Sequence, residues 1–278
     1  MTPRGYILGL VLAATVCPPG LAAPERVVSI NLCADELVIP LADRETIKSV
    51  SYLSADPEES PVAEEAKGLP VNYARAEEIL PLKPDIVFAN RFSAAYTVNL
   101  LRRLGVNVVE LPNPTDFDGI RANIRRVAKL LGHPERGEAM IRDFDKTLAQ
   151  ARMPEGSPRP LAIVYRAGGY TDGGTGLSSE VLAHVGLRNM AEERGLRQWD
   201  HLSVEQLLLD QPDVVVVSAY RQEAPSEEAA VLEHPALRAY LATHRSIAIP
   251  AKYWGCGTPA IAEAAKRLSA LLRGGKPQ

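Results

Sequence analysis

Ala76-Glu77-Glu78-Ile79-Leu80-Pro81-Leu82-Lys83-Pro84-Asp85-Ile86-Val87 and, further along the chain, Val204-Glu205-Gln206-Leu207-Leu208-Leu209-Asp210-Gln211-Pro212-Asp213-Val214-Val215 can be laid over each other without a gap. Each is a short helical stretch, a Pro-Asp pair and the start of an apolar strand, with a Glu seven residues ahead of the Pro. The proline ends the helix, since it has no N–H to donate and pushes the preceding residue out of the helical region. One such block is ordinary in a protein of alternating strands and helices. Its recurrence predicts two similar halves.

Outward from these blocks the alternation continues. Branched, apolar runs at 26–30, 47–50, 85–89 and 106–111 read as strands, and 34–41, 76–82 and 93–104 as helices between them. Strands separated by helices require crossovers, which make the sheet mostly parallel and cover both its faces. From 116 to 131 and from 135 to 152 no strand-like run occurs. In the second stretch Met140, Phe144 and Leu148 recur at every fourth position, the pattern of an amphipathic helix about 27 Å long. Three prolines and a glycine within 153–160 then break it. Alternation resumes with strands at 161–165, 214–217 and 246–249 and helices at 178–185, 204–208, 235–243 and 259–272. The expected fold is α/β: two lobes with parallel sheets, 24–133 and 154–278, joined by one long helix at 134–153, with a ligand cleft between them.

Composition narrows the function classes. The 278 residues are 46% hydrophobic and carry 31 basic against 34 acidic side chains, a globular and nearly neutral chain with no cationic face for nucleic acid. Residues 1–23 read as an export signal: a positive start, an apolar run from Tyr6 to Val16 and small residues at 20–23. That run is too short to span a bilayer, and no later one is long enough. Attachment of a lipid through Cys17 is disfavoured by the branched Val16 before it. A soluble, exported protein is expected.

In parallel sheets the ligand-facing loops leave the carboxyl ends of the strands. The exits carry Asn31 and Cys33, Tyr52, Arg91 and Phe92 in the first half, and Arg166, Tyr170, Tyr220, Arg221, Tyr253, Trp254 and Cys256 in the second. Aromatic residues make up only 5% of the chain, so their concentration at exits points to a flat or bulky ligand. The arginines offer planar donor forks to anionic groups. Catalytic and cofactor motifs do not assemble. The glycines of 168–176 have neither dinucleotide nor P-loop spacing, Gly176-Leu177-Ser178-Ser179-Glu180 lacks the second glycine of a nucleophile elbow, and the five histidines show no metal-ligand pair. Ser203 with Gln206 fits a helix cap.

On these features the chain resembles the periplasmic substrate-binding proteins of ABC importers for iron chelates, haem and vitamin B12. The residues that carry the likeness are Arg26-Val27-Val28-Ser29-Ile30, the Leu82-Lys83-Pro84-Asp85 block, the linking helix before Pro154, Ser203-Val204-Glu205-Gln206 and the closing Tyr253-Trp254 with the helix after Pro259. The resemblance implies a periplasmic monomer without a cofactor or catalytic residues, which captures a metal chelate and docks at the membrane surface on a permease with its ATPase. It implies that Glu77 and Glu205, one per lobe, meet basic residues of the permease. It further implies that Tyr52, Trp199 and Trp254 sandwich a corrinoid, or that Arg91, Arg166 and Arg221 oppose an anionic siderophore. Haem would ask for an axial Tyr or His. Cys33 and Cys256 depart from the corrinoid pattern. They face the cleft from opposite lobes, and a disulfide, free thiols or a soft-metal pair all remain open. An exported α/β enzyme is the competing class, and it lacks a visible acid or base.

Overall fold

The branched strand residues settle into two separate parallel sheets rather than one. In this computed structural model residues 23–90, 93, 95–154, 156–174, 176–197, 199–218 and 231–274 are described. The first lobe runs β1 (Val27–Ser29), α1 (Leu32–Leu41), β2 (Ile47–Ser51), α2 (Ala63–Ala66), β3 (Val71–Asn72), α3 (Ala76–Ile79), β4 (Ile86–Asn90), α4 (Ala95–Arg103), β5 (Val108–Leu111) and α5 (Phe117–Leu130). The long helix α6 (Pro134–Ala151) follows. The second lobe runs β6 (Leu161–Arg166), β7 (Tyr170–Thr171), α7 (Leu177–His184), β8 (Arg188–Asn189), α8 (Met190–Glu193), β9 (Asp200–His201), α9 (Val204–Asp210), β10 (Val214–Ser218), α10 (Pro235–Thr243), β11 (Ser246–Ala248) and α11 (Ala260–Leu272). No described helix is long and apolar enough to cross a membrane.

Strand order is β3-β2-β1-β4-β5 in the first sheet and β11-β10-β6-β8 in the second, all parallel. The order reverses between β1 and β4 in one sheet and between β6 and β10 in the other. Open parallel sheets form their ligand crevice at such reversals. The two halves are similar down to single bonds. The Asp85 carboxylate accepts from the amides of Glu25 and Arg26 at 2.9 Å each, pinning the start of β1, and the Asp213 carboxylate accepts from the Leu161 amide at 2.7 Å, pinning the start of β6. Ahead of each Pro-Asp pair, Lys83 and Gln211 end their helices in the left-handed region, at φ 47° and 46°. These Pro-Asp blocks are therefore repeated joints that anchor the first strand of each sheet to its neighbour across the order reversal, β1 to β4 and β6 to β10.

Helix α6 buries Gly137, Ile141, Phe144, Leu148 and Ala151, a spacing of alternating fours and threes that keeps one face inward. Met140 is half-buried and packs against the core from beside this stripe, which follows 141-144-148 rather than a strict four-residue step. A single apolar core runs from Val27 and Leu37 through this helix to Val164, Val216 and Leu268, so both lobes share it. The rod is thus packed along its length. A short antiparallel ribbon, β7 with β9, was not visible in the sequence: Tyr170 lies opposite His201 and Thr171 opposite Asp200. Two-residue strands carry no periodicity to read.

Candidate ligand-binding site

A cavity of about 430 Å³ opens between the lobes at the two strand-order reversals. From the first lobe it takes Asn31 after β1, Asn90 at the end of β4, and Asn113 and Pro114 after β5. Arg166 at the end of β6, Asp172 after β7, Leu177 and Ser178 at the start of α7, and Trp199 before β9 form the opposite wall. The floor is Trp254, Gly255, Cys256 and Gly257, with Ile261 behind. Gly257 has to be glycine, because a Cβ there would come within 2.3 Å of the Pro114 ring, where the two lobes cross.

The β7–β9 ribbon explains the polar wall. It sets Asp172 opposite Trp199, and the Asp172 carboxylate accepts from the Trp199 amide at 3.3 Å, from Ser178 Oγ at 2.8 Å and from Arg166 Nη2 at 3.0 Å. The guanidinium of Arg166 in turn lies 5.3 Å from the centre of the Trp199 ring. Arg166 and Asp172 are both buried, so the ion pair is compensated within the wall and adds no net charge to the cavity. Trp199 is half-exposed with φ 59°, a left-handed backbone that a bulky residue adopts at a cost of about 1–2 kcal/mol. Asp172 and Arg166 offset that cost.

The floor is tied to the first lobe. Cys33 and Cys256 form a disulfide with Cα atoms 5.2 Å apart. Cys33 lies in the first turn of α1, whose cap Asn31 accepts from the Cys33 amide at 3.0 Å. One turn on, Thr258 Oγ1 donates to the Glu36 carboxyl, a second bond between the same two segments. Glu36 and Asp35 are both buried on α1. Burial pushes Glu36 up to about 8, with the Asp35 charge adding to it, and pushes Asp35 up to about 7 against bonds from Ser54 and the Ser51 amide. No cluster of three or more His, Cys, Asp or Glu able to hold a metal occurs among the described residues.

Of the residues expected at the cleft, Asn31, Cys33, Arg166, Trp199, Trp254 and Cys256 line the cavity. Tyr52, Tyr170 and Tyr253 do not. Tyr52 leaves β2, one strand outside the reversal, and stacks on Tyr73 at 4.7 Å. Tyr170 opens the ribbon and turns its ring edge to His201, and Tyr253 sits in a helical turn between Lys252 and Arg267. Arg91, Phe92, Tyr220 and Arg221 lie outside the described residues, as do residues 1–22 of the expected export signal. Sequence reading missed Asn113, Pro114, Asp172 and Ser178. Asn113 and Pro114 follow β5 and carry no aromatic or charged group to mark them, and Asp172 and Ser178 need the β7–β9 ribbon to bring them in. Glu77 and Glu205 are exposed, one on each lobe near the joint described above. Glu205 is held below its usual range by its own helix-end amide and Ser203.

Two α/β lobes bridged by a packed helix, with the cavity at both strand-order reversals, define a solute-binding protein of the helix-linked, two-lobe kind. The chain belongs to the periplasmic binding protein family, whose model matches residues 27–248. It is 29% identical over 211 residues to a cobalamin-binding protein of Halobacterium salinarum, covering 72% of this chain and 56% of that one. To a vitamin B12-binding protein of Photorhabdus laumondii it is 27% identical over 228 residues, covering 80% of each. The crystal structure of a periplasmic heme-binding protein from Pseudomonas aeruginosa superposes with a TM-score of 0.72 at 26% identity, covering 92% of this chain and 95% of that one. The family is one of binding proteins, and membership implies a location outside the cytoplasm.

Proposed function

We propose that this protein is the periplasmic capture component of an ABC importer and that its ligand is a corrinoid. The observation that carries the ligand class is the chemistry of the cavity wall. Its described lining offers three asparagine amides and a serine hydroxyl around a self-compensated Arg166–Asp172 pair, between two tryptophans. Such a wall is complementary to a neutral chelate with an amide periphery and flat faces. Both cysteines are committed to the disulfide, and the described lining holds no histidine, tyrosine or methionine. A ligand that brings its metal already fully coordinated fits this better than haem, which takes an axial ligand from its protein. The names of the curated relatives support the same reading.

Delivery requires a permease with its ATPase. Glu77 and Glu205 supply one exposed carboxylate per lobe on matching helices, and two separated charges set orientation even though each exposed pair contributes only about 0–1 kcal/mol. The protein acts as a monomer and catalyses nothing. Equilibrium dialysis of the purified chain against cyanocobalamin, haemin and a ferric catecholate siderophore tests the reading. One equivalent of cyanocobalamin retained in preference to the others, and recovered unchanged, is the expected result. Retention of haemin or the siderophore alone assigns a different ligand, and conversion of any of them refutes the binding-protein reading.

A further inference from the structure

Cys33 and Cys256 do more than join the lobes: both belong to the cavity lining, and Cys33 keeps part of its surface open while Cys256 is buried. Tied through them are the end of β1 with Asn31 and the floor loop with Trp254, Gly255 and Gly257, all of which line the same cavity. We propose that this disulfide is a ligand-gated thiol-exchange site. In the empty protein it is open through the cavity to a dithiol reductant, a bound ligand covers it, and its reduction weakens the hold on the ligand. The ligand-dependent part rests on the corrinoid reading above.

The exchange balances as a two-electron reduction. A thiolate of the dithiol attacks the more accessible Cys33 Sγ, the Cys33–Cys256 bond breaks, and Cys256 leaves as a thiolate that takes a proton from water. The second thiol of the reductant attacks the mixed disulfide, closes on itself as a disulfide and releases Cys33. Leaving at this step is favoured by position, since Cys33 lies in the first turn of the ten-residue helix α1, where the helix dipole stabilises negative charge.

Reduction would leave the fold standing. Thr258 still bonds Glu36, Lys252 Nζ still donates to the Pro57 carbonyl at 2.6 Å, and the apolar core shared through α6 draws on the floor loop through Trp254 while its strand and helix members are untouched. What is lost is the covalent registration of the floor loop against Asn31, so a ligand must order that loop on binding. A ligand that prefers the oxidised form must, by linkage, protect that form from reduction by the same factor.

The test treats the folded protein with dithiothreitol, with and without saturating cyanocobalamin, and traps thiols with iodoacetamide. Peptide mass spectrometry locates alkylation at Cys33 and Cys256, and circular dichroism confirms that the fold persists. In the empty protein both cysteines should alkylate while the spectrum stays native, and cyanocobalamin should slow this about tenfold or more. The reduced, alkylation-free protein and the double variant Cys33→Ser/Cys256→Ser should each bind cyanocobalamin about tenfold more weakly than the oxidised protein. Resistance of the disulfide until the fold is lost, equal reduction rates with and without ligand, or unchanged affinity after reduction overturns the proposal. Should cyanocobalamin fail to bind the oxidised protein, the corrinoid reading fails, and the exchange site is then decided by the reactivity of the empty protein alone.

Discussion

Replacing Glu36 with Gln should stabilise this protein at neutral pH and leave it unchanged in acid. Glu36 is buried on α1 with its carboxyl pushed up to about 8 from an ordinary 4.5. A raised folded value means that the folded state holds its proton more tightly than the unfolded chain. The associated stability is fully present below about pH 4.5 and is lost as pH climbs toward 8. At about 1.36 kcal/mol for each unit, the interval from 4.5 to 7 removes about 3 kcal/mol by pH 7. Gln fills the same space, can still accept from Thr258 and never ionises. At about 2–4 °C for each kcal/mol, Glu36→Gln should melt about 6–12 °C above the parent at pH 7, with the two converging near pH 4. The variant should keep a weaker pH slope, because Asp35 shifts in the same direction. Melting followed by circular dichroism from pH 4 to 8 is the assay. Parallel curves for variant and parent, or a variant less stable at pH 7, would show that Glu36 is ionised and satisfied in the folded state, contrary to this reasoning.

Four further outcomes are expected. Cys33→Ser/Cys256→Ser releases a link across a sequence separation of 223, which chain entropy puts at about 5 kcal/mol, and denaturant titration should recover about 2–5 of it. Trp199→Gly relieves a left-handed tryptophan and should hold or raise the melting temperature while ligand affinity falls; a drop in both would mean that the ring serves packing rather than the cavity. Asp213→Ala and Asp85→Ala should each cost about 1–3 kcal/mol in denaturant titrations, since each leaves strand-start amides without their partner. Charge reversal at Glu77 and Glu205 together should abolish uptake by proteoliposomes carrying the permease while leaving ligand affinity unchanged; normal uptake would remove their docking role.

Much of the fold was legible because it rests on periodicity. The Pro-Asp blocks marked two like halves, and the helix from Pro134 to Ala151 and the branched strands announced themselves by spacing. Much of the site was legible at strand exits: Asn31 and Cys33 follow β1, Arg166 ends β6, and Trp254 and Cys256 lie in the loop after β11, and all five line the cavity. Tyr52 and Tyr170 are exit residues too, but an exit is a place along the chain, while the cavity forms only where strand order reverses. Strand order is a long-range property that no local run of residues encodes. Asp172 escaped for a related reason, since a ribbon of two-residue strands brings it to Trp199. The disulfide was one of three readings of two cysteines, and distance alone separates them.

The sequence contains two tryptophans, and both line the cavity, so tryptophan emission excited beyond the tyrosine band reports on this site. The most direct measurement of the central claim is a cyanocobalamin titration of the parent and of the single-tryptophan variants Trp199→Phe and Trp254→Phe, read by tryptophan emission. A ligand seated between the lobes should quench both variants to saturation at one equivalent, with each substitution weakening affinity. Saturable binding measured by dialysis that neither quenches the tryptophans nor responds to their replacement would place the ligand elsewhere and contradict the account.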